Sequence, residues 1–182
     1  DKKLGGWRYQ PGSGADTSVT GWQIMALKSG ELAKLKVNPE TYVGVRRWLD
    51  AAQAPGPGKN QNDPSQYVYD PNAVDDTRFV RSHGRIPTPA TTSMGLLMRM
   101  YLGWDKQNPD LQRGAQLLLD NPPLLGTTAQ KKRDTYYWYY ASQVMYHMQG
   151  DAWREWNNKL RPLLLNSQVK TGATAGSWDP GG

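Results

Sequence analysis

The segment 134–149, DTYYWYYASQVMYHMQ, constrains the fold of this chain more than any other. Five consecutive aromatic residues, Tyr136, Tyr137, Trp138, Tyr139 and Tyr140, run into Val144, Met145, Tyr146 and Met148. On a helix, Tyr137, Ala141, Val144 and Met148 share one stripe, and Trp138 and Met145 fall on another. A helix apolar on nearly every side is expected to be buried on every side. The rest of the chain must then supply its neighbours.

Two further segments have the same character. The span 16–29 starts with Asp16 or Thr17 as cap, carries Val19, Trp22 and Ala26 on one face beside Ile24 and Leu27, and meets Ser29-Gly30 as its stop. The span 89–102 follows the cap pair Thr88-Pro89 and carries Met94, Leu97, Met98 and Tyr101, with Leu96 and Met100 filling the remainder. Each of the three is followed by a one-sided helix. Asn38-Pro39-Glu40 and Asn108-Pro109-Asp110 start two of these with a cap, a proline at the first helical position and an acid in the first turn. Their stripes are Tyr42, Val45, Leu49, Ala52 and Leu111, Ala115, Leu118, Leu119. The third carries Trp153, Trp156, Leu160 and Leu164, with Pro162 expected to kink it or tighten its end.

The pattern is an inner, apolar helix followed by an outer, amphipathic one, three times over. The inner segments align at Thr20-Gly21-Trp22, Met94-Gly95-Leu96 and Tyr140-Ala141-Ser142, with a small residue at the same point for close helix approach. Gly6-Trp7…Pro11-Gly12 at one end echoes Ser177-Trp178-Asp179-Pro180-Gly181 at the other. Helix-pair repeats cannot bury their faces singly and must stack. Residues 54–87 interrupt the rhythm with a long insertion. Within it, 66–69 and 78–81 are β-prone pieces flanking a turn-rich stretch, which predicts a small hairpin.

Composition narrows the function classes. The length of 182 residues suits a single domain, here 1–182. With 8 Trp and 10 Tyr against 1 Phe, much of the apolar area sits on amphipathic rings suited to a partly wet core or a cavity wall. The net charge of +6 is scattered apart from Lys131-Lys132-Arg133, which argues against a nucleic-acid surface. The absence of cysteine removes disulfides, thiol nucleophiles and thiolate metal sites, and fits both the cytosol and an exported bacterial protein whose signal has been cleaved. No run has the length of a membrane span, and no targeting signal is read in this chain. No His and carboxylate cluster has metal-ligand spacing, so neither a metal nor a cofactor is expected.

Individual residues invite chemical readings. Arg99 on the second inner helix either snorkels its head to water or binds an anion in a cavity. His147 could serve as an acid or base near neutral pH, or sit as a favourable cation at a helix C-terminus. His83 beside Gly84 has no evident partner.

Taken together, the helix pairs and the terminal motifs resemble the terpenoid-cyclase and prenyltransferase superfamily, whose α/α toroids have inner and outer rings of helices. Gln168 with Gly176-Ser177-Trp178 is similar to the Gln…Gly-x-Trp repeat of squalene cyclases, with a slightly long gap. Gly5-Gly6-Trp7 looks like the tail of a preceding copy. The stretch Gly6-Trp7-Arg8-Tyr9…Asp16-Thr17-Ser18-Val19-Thr20-Gly21-Trp22-Gln23 resembles uncharacterised bacterial squalene-cyclase-like proteins. The resemblance implies an all-α, partial α/α toroid of three inner–outer helix hairpins, with the insertion carrying the hairpin. Such an arc is open, so it is expected to belong to a longer protein or to be completed by a second copy. The repeat residues Trp7, Gln168, Gly176 and Trp178 are implied to tie outer helices together, with Trp178 a buried ring whose removal costs about 3 kcal/mol.

For activity, the resemblance has clear departures. The zinc-dependent prenyltransferases and the thioester-containing members both need a cysteine, which this chain lacks. Of the Asp-x-Asp-Asp acid motif, Ala73-Val74-Asp75-Asp76-Thr77 keeps only the last two acids, and in a polar insertion. The reading that follows is a non-catalytic binding or scaffold module. Its aromatic concave wall, with Trp22, Arg99, Tyr137, Tyr140 and His147 as ligand-binding residues, would hold an apolar or glycan ligand or a partner domain. The alternative is a terpene cyclase with Asp75 or Asp76 as proton donor. A more distant one is an α/α-barrel polysaccharide lyase or hydrolase.

Overall fold

The computed structural model describes residues 5–56, 62–73, 84–126 and 132–178. Among these the protein is mostly helical, with six helices and one small antiparallel sheet. The helices are α1 (Thr17–Leu32), α2 (Pro39–Ala51), α3 (Pro89–Tyr101), α4 (Pro109–Leu119), α5 (Thr135–Met148) and α6 (Gly150–Ser167). Short polar side chains start five of them. Asp16, Asn38, Thr88, Asn108 and Asp134 each accept a hydrogen bond from a first-turn amide, which satisfies donors that the helix leaves open. Ser29-Gly30 does not stop α1, which runs on to Leu32. Pro162 lies inside α6, which continues to Ser167. Between α5 and α6 the backbone turns through two residues at positive φ, Gln149 (62°) and Gly150 (54°).

The centre of the molecule is α3. It packs against α1 on one side and α5 on another, and also meets α2, α4 and the sheet. Residues 91–99 are all buried. This helix, not the aromatic one, is enclosed on every side. The aromatic α5 buries Tyr137, Trp138, Tyr140, Ala141, Val144 and Met145, but leaves Tyr136, Tyr139 and Tyr146 exposed at 39%, 45% and 63%. The expectation of complete burial fails because tyrosine carries a hydroxyl that water solvates, so a Tyr-rich face needs no neighbour.

Burial alternates along the chain in two of the three helix pairs. α3 is more buried than α4, and α5 more than α6, in which Trp156 alone is fully enclosed. In the first pair the contrast is missing. α1 exposes Trp22 and Leu32, while α2 encloses Tyr42, Val45, Trp48 and Leu49.

A two-stranded antiparallel sheet occupies the start of the insertion, its second strand overlapping the expected 66–69. β1 (Gln53–Pro55) pairs with β2 (Asn62–Tyr67) in antiparallel register, Ala54 opposite Asp63 and Pro55 opposite Asn62. The expected second strand, 78–81, lies outside the described residues. What draws this polar segment inward is the hydroxyl face of α3. Thr91 Oγ1 donates to the Tyr67 carbonyl (2.8 Å), and Thr92 Oγ1 accepts from the Tyr67 amide (3.3 Å), so the buried backbone keeps its hydrogen bonds. The Tyr67 ring then fills the place a side chain at Gly95 would take; a Cβ there would lie 2.2 Å from Tyr67 Cγ. Gly95 thus admits β2 and not a neighbouring helix. Gly21, aligned with it in the sequence pattern, faces Tyr140 and Met94 of the adjoining helices.

The N-terminal segment closes over α1 and α2. Trp7 donates its amide to Thr20 Oγ1 (3.0 Å), accepts from the Asp16 amide (2.9 Å) and packs against the core. Gly5, at φ 83°, lies against the backbone of Gly44 on α2, where any Cβ would collide. Arg8 pairs with Asp70 at 3.1 Å and lies 3.8 Å from the fully buried Asp16.

Candidate functional site

Helical spacing divides α5 into three working faces. Tyr137 belongs to the face on α4: its hydroxyl reaches the carbonyls of Leu118 (3.0 Å) and Asn121 (2.8 Å), and its ring meets Trp156 edge-on at 5.7 Å. Burial holds this phenol well above the ordinary range. Tyr137 therefore anchors α5, and it borders a separate depression near Asp120 and Lys132.

On the second face, Trp22 of α1 lies over α5. Its ring stacks on Tyr139 (6.0 Å, 18°), and its Nε1 donates to Tyr136 Oη at 3.0 Å. Tyr140 stands edge-on to Trp22, Tyr136 and Tyr139 at 6.1, 5.1 and 5.2 Å. Fully buried, Tyr140 has an Oη without a hydrogen-bond partner. Burial first, and then the Tyr136, Tyr139 and Tyr101 phenols, keep it protonated far above the ordinary range; Tyr136 acts on it without meeting hydrogen-bond geometry.

The third face opens toward α6 as a groove of about 500 Å³. Trp138, Tyr139, Gln143 and Tyr146 form one wall, and Trp153, Leu160 and Leu164 the other. Tyr146 meets Trp153 edge-on at 5.5 Å. Gln143 lies between the two tyrosines. Its Oε1 accepts from Tyr101 Oη at 3.4 Å, while its buried Nε2 donates to nothing. Ser142 Oγ is engaged by Trp156 Nε1 at 2.9 Å. Tyr139 belongs to both faces, so the stacked Trp22 and the groove form one continuous aromatic surface.

The residues expected to bind ligand are thus only partly brought together. Trp22 and Tyr140 share the aromatic face, and His147 lines the groove with its ring edge-on to Tyr101 at 5.9 Å. Arg99 is elsewhere. It does not snorkel to water: it is 6% exposed, donates from Nε to Tyr67 Oη (3.0 Å) and from Nη2 to Asp50 Oδ1 (2.6 Å), and lies over Trp104. These bonds tie α3 to α2 and β2. Asp75, Asp76 and His83 lie outside the described residues.

The residues expected from the resemblance to form a repeat motif, Gln168, Gly176 and Trp178, make a local clasp. Gln168 Nε2 donates to the Gly176 carbonyl (2.8 Å), and Trp178 Nε1 donates to the Leu164 carbonyl at the end of α6 (2.8 Å). Trp178 remains 44% exposed, so it caps its own helix end and does not act as a buried ring.

The sequence reading missed Tyr139, Gln143, Tyr146 and Trp153. A usable signal existed. Tyr139 and Tyr146 are seven residues apart with Gln143 between them, a spacing that puts all three on one side of a helix. Among the described residues no three His, Cys, Asp or Glu groups converge as metal ligands, and no helix is long and apolar enough to cross a membrane. Comparison of the chain with protein-family models, curated proteins and solved structures finds no match.

Proposed function

We propose that this chain is a non-catalytic binding module of the squalene-cyclase-like type, whose aromatic wall on α1, α5 and α6 takes up a ligand or partner. The observation that carries this reading is the groove between α5 and α6. Its volume of about 500 Å³ is that of a small-molecule site, and its lining combines rings and leucines with few polar groups. The partial toroid is supported by the alternation of burial in α3/α4 and α5/α6, and by α3 lying between α1 and α5. The cyclase alternative needs a dry carboxylic acid facing the substrate, and among the described residues no carboxylate lines the groove.

Calorimetric titration tests the reading with a panel of farnesol, cellotetraose, maltotetraose, xylotetraose and mannotetraose. At least one member is expected to bind the native chain and to lose binding in Leu160→Asp, which sets a charge in the groove wall. If no member binds, or if Leu160→Asp binds like the native chain, the groove is not the site.

A further inference from the structure

The groove narrows the chemistry of its own occupant, on the reading that it is a binding site. Among the described residues its polar lining consists of Thr135, Ser142, Gln143 and His147 besides the tyrosine hydroxyls, with no Lys, Arg, Asp or Glu. Phosphorylated or carboxylated ligands would find no counter-charge there. The rings are also too open for a purely apolar chain. Tyr139 and Tyr146 stand 45% and 63% exposed, and their hydroxyl rims keep water at the wall.

One polar atom asks for a partner. Gln143 lines the groove, and its Nε2 is buried with no acceptor, an unfavourable arrangement for an amide that a turn of the side chain toward a ligand hydroxyl would relieve. Tyr139 and Tyr146 flank it on α5, separated by roughly 10 Å along the helix axis. Two amphipathic rings with a neutral donor between them match a ligand that alternates apolar ring faces with hydroxyls. Trp153 and the leucines of α6 supply the opposite wall.

We infer that the α5–α6 groove binds a neutral oligosaccharide of more than one ring, with Tyr139 and Tyr146 as stacking platforms and Gln143 Nε2 donating to a sugar hydroxyl. Trp22 belongs to the site indirectly. By stacking on Tyr139 it fixes the orientation of that platform, which makes it a positioning residue.

The test compares cellotetraose, maltotetraose, xylotetraose and mannotetraose with farnesol and a tetramer of galacturonic acid, using calorimetry and amide chemical shifts. At least one neutral tetramer should bind and shift the amides of Tyr139, Gln143 and Tyr146. Tyr146→Ala and Gln143→Glu, each with a native melting temperature, should weaken it at least tenfold. Gln143→Glu keeps the size of the side chain and removes the donor. Binding of farnesol alone, or tighter binding of the acidic tetramer, overturns the ligand class and leaves the groove as a binding site. Failure of every probe overturns both. Binding of a neutral tetramer that neither variant weakens overturns the placement.

Discussion

Trp22 Nε1 donates to Tyr136 Oη across 3.0 Å, joining α1 to the start of α5 over 114 residues of sequence. The bond does more than link two helices. It turns the indole so that its face lies on Tyr139, and Tyr139 is the ring shared with the groove. The wall is therefore built from both ends of the chain. Because the bond is exposed, water competes for it, and its net contribution is about 0.5–1 kcal/mol. A double-mutant cycle with Trp22→Phe and Tyr136→Phe, followed by urea unfolding, should return a coupling of that size. Strict additivity would show that the two helices are held together without it.

Gly95 and Gly21 align in the sequence pattern but should respond to alanine with opposite signs. A Cβ at Gly95 lands 2.2 Å from Tyr67 Cγ, whereas one at Gly21 meets nothing nearer than 3.9 Å. Gly95→Ala should therefore destabilise by about 1–3 kcal/mol through overpacking. Gly21→Ala should stabilise by up to about 1 kcal/mol, the helix preference for alanine. Urea midpoints of the two variants check both, and a stabilising Gly95→Ala would mean that Tyr67 is not seated on α3.

Tyr67 also gives the fold a dependence on alkaline pH. Burial pushes its phenol up from 10.0 to about 12, with Arg99 pulling in the opposite direction. Below pH 10 both folded and unfolded chains hold the proton, and the phenol's contribution is complete. Between pH 10 and about 12 the unfolded chain releases a proton that the native one keeps, so stability falls as pH rises. The expected slope from this residue is about 1.4 kcal/mol per pH unit. Unfolding free energies for the native chain and Tyr67→Phe from pH 9 to 12 should diverge in slope above pH 10, and equal slopes would remove Tyr67 as the cause.

The helices were legible because local chemistry writes them. Asn38-Pro39-Glu40 and Asn108-Pro109-Asp110 mark starts that need no tertiary information, and α2 and α4 begin at those prolines. The pairing of 53–55 with 62–67 was not legible because it depends on α3, through Thr91, Thr92 and the gap at Gly95. No window around 53–67 contains those residues. Arg99 was misread for a similar reason: its partners, Asp50 and Tyr67, are 49 and 32 residues away. The groove residues carried a spacing signal, but five adjacent aromatics concealed which of them faced water. In α5 the hydroxyls decide that, and periodicity counts a tyrosine as simply apolar.

Trp178 illustrates the difference that exposure makes. As a fully buried ring it would cost about 3 kcal/mol or more on truncation. At 44% exposure, with one hydrogen bond to the Leu164 carbonyl, Trp178→Ala should cost about 1 kcal/mol. Thermal unfolding decides between the two, and the larger loss would mean that the ring is covered in solution.

The central claim is that ligands meet this chain on the wall formed by α1, α5 and α6, and fluorine NMR of 5-fluorotryptophan-labelled protein tests it most directly. All 8 tryptophans report separately, and they lie in contrasting places. Trp22, Trp138 and Trp153 belong to the wall, Trp48 and Trp156 are fully buried in the core, and Trp178 sits on the C-terminal clasp. On saturation with the tightest-binding member of the oligosaccharide and farnesol panel, the resonances of Trp153, Trp138 and Trp22 should move while those of Trp48, Trp156 and Trp178 stay in place. Shifts confined to Trp178 or to the core tryptophans, with the three wall resonances unmoved, would contradict the account.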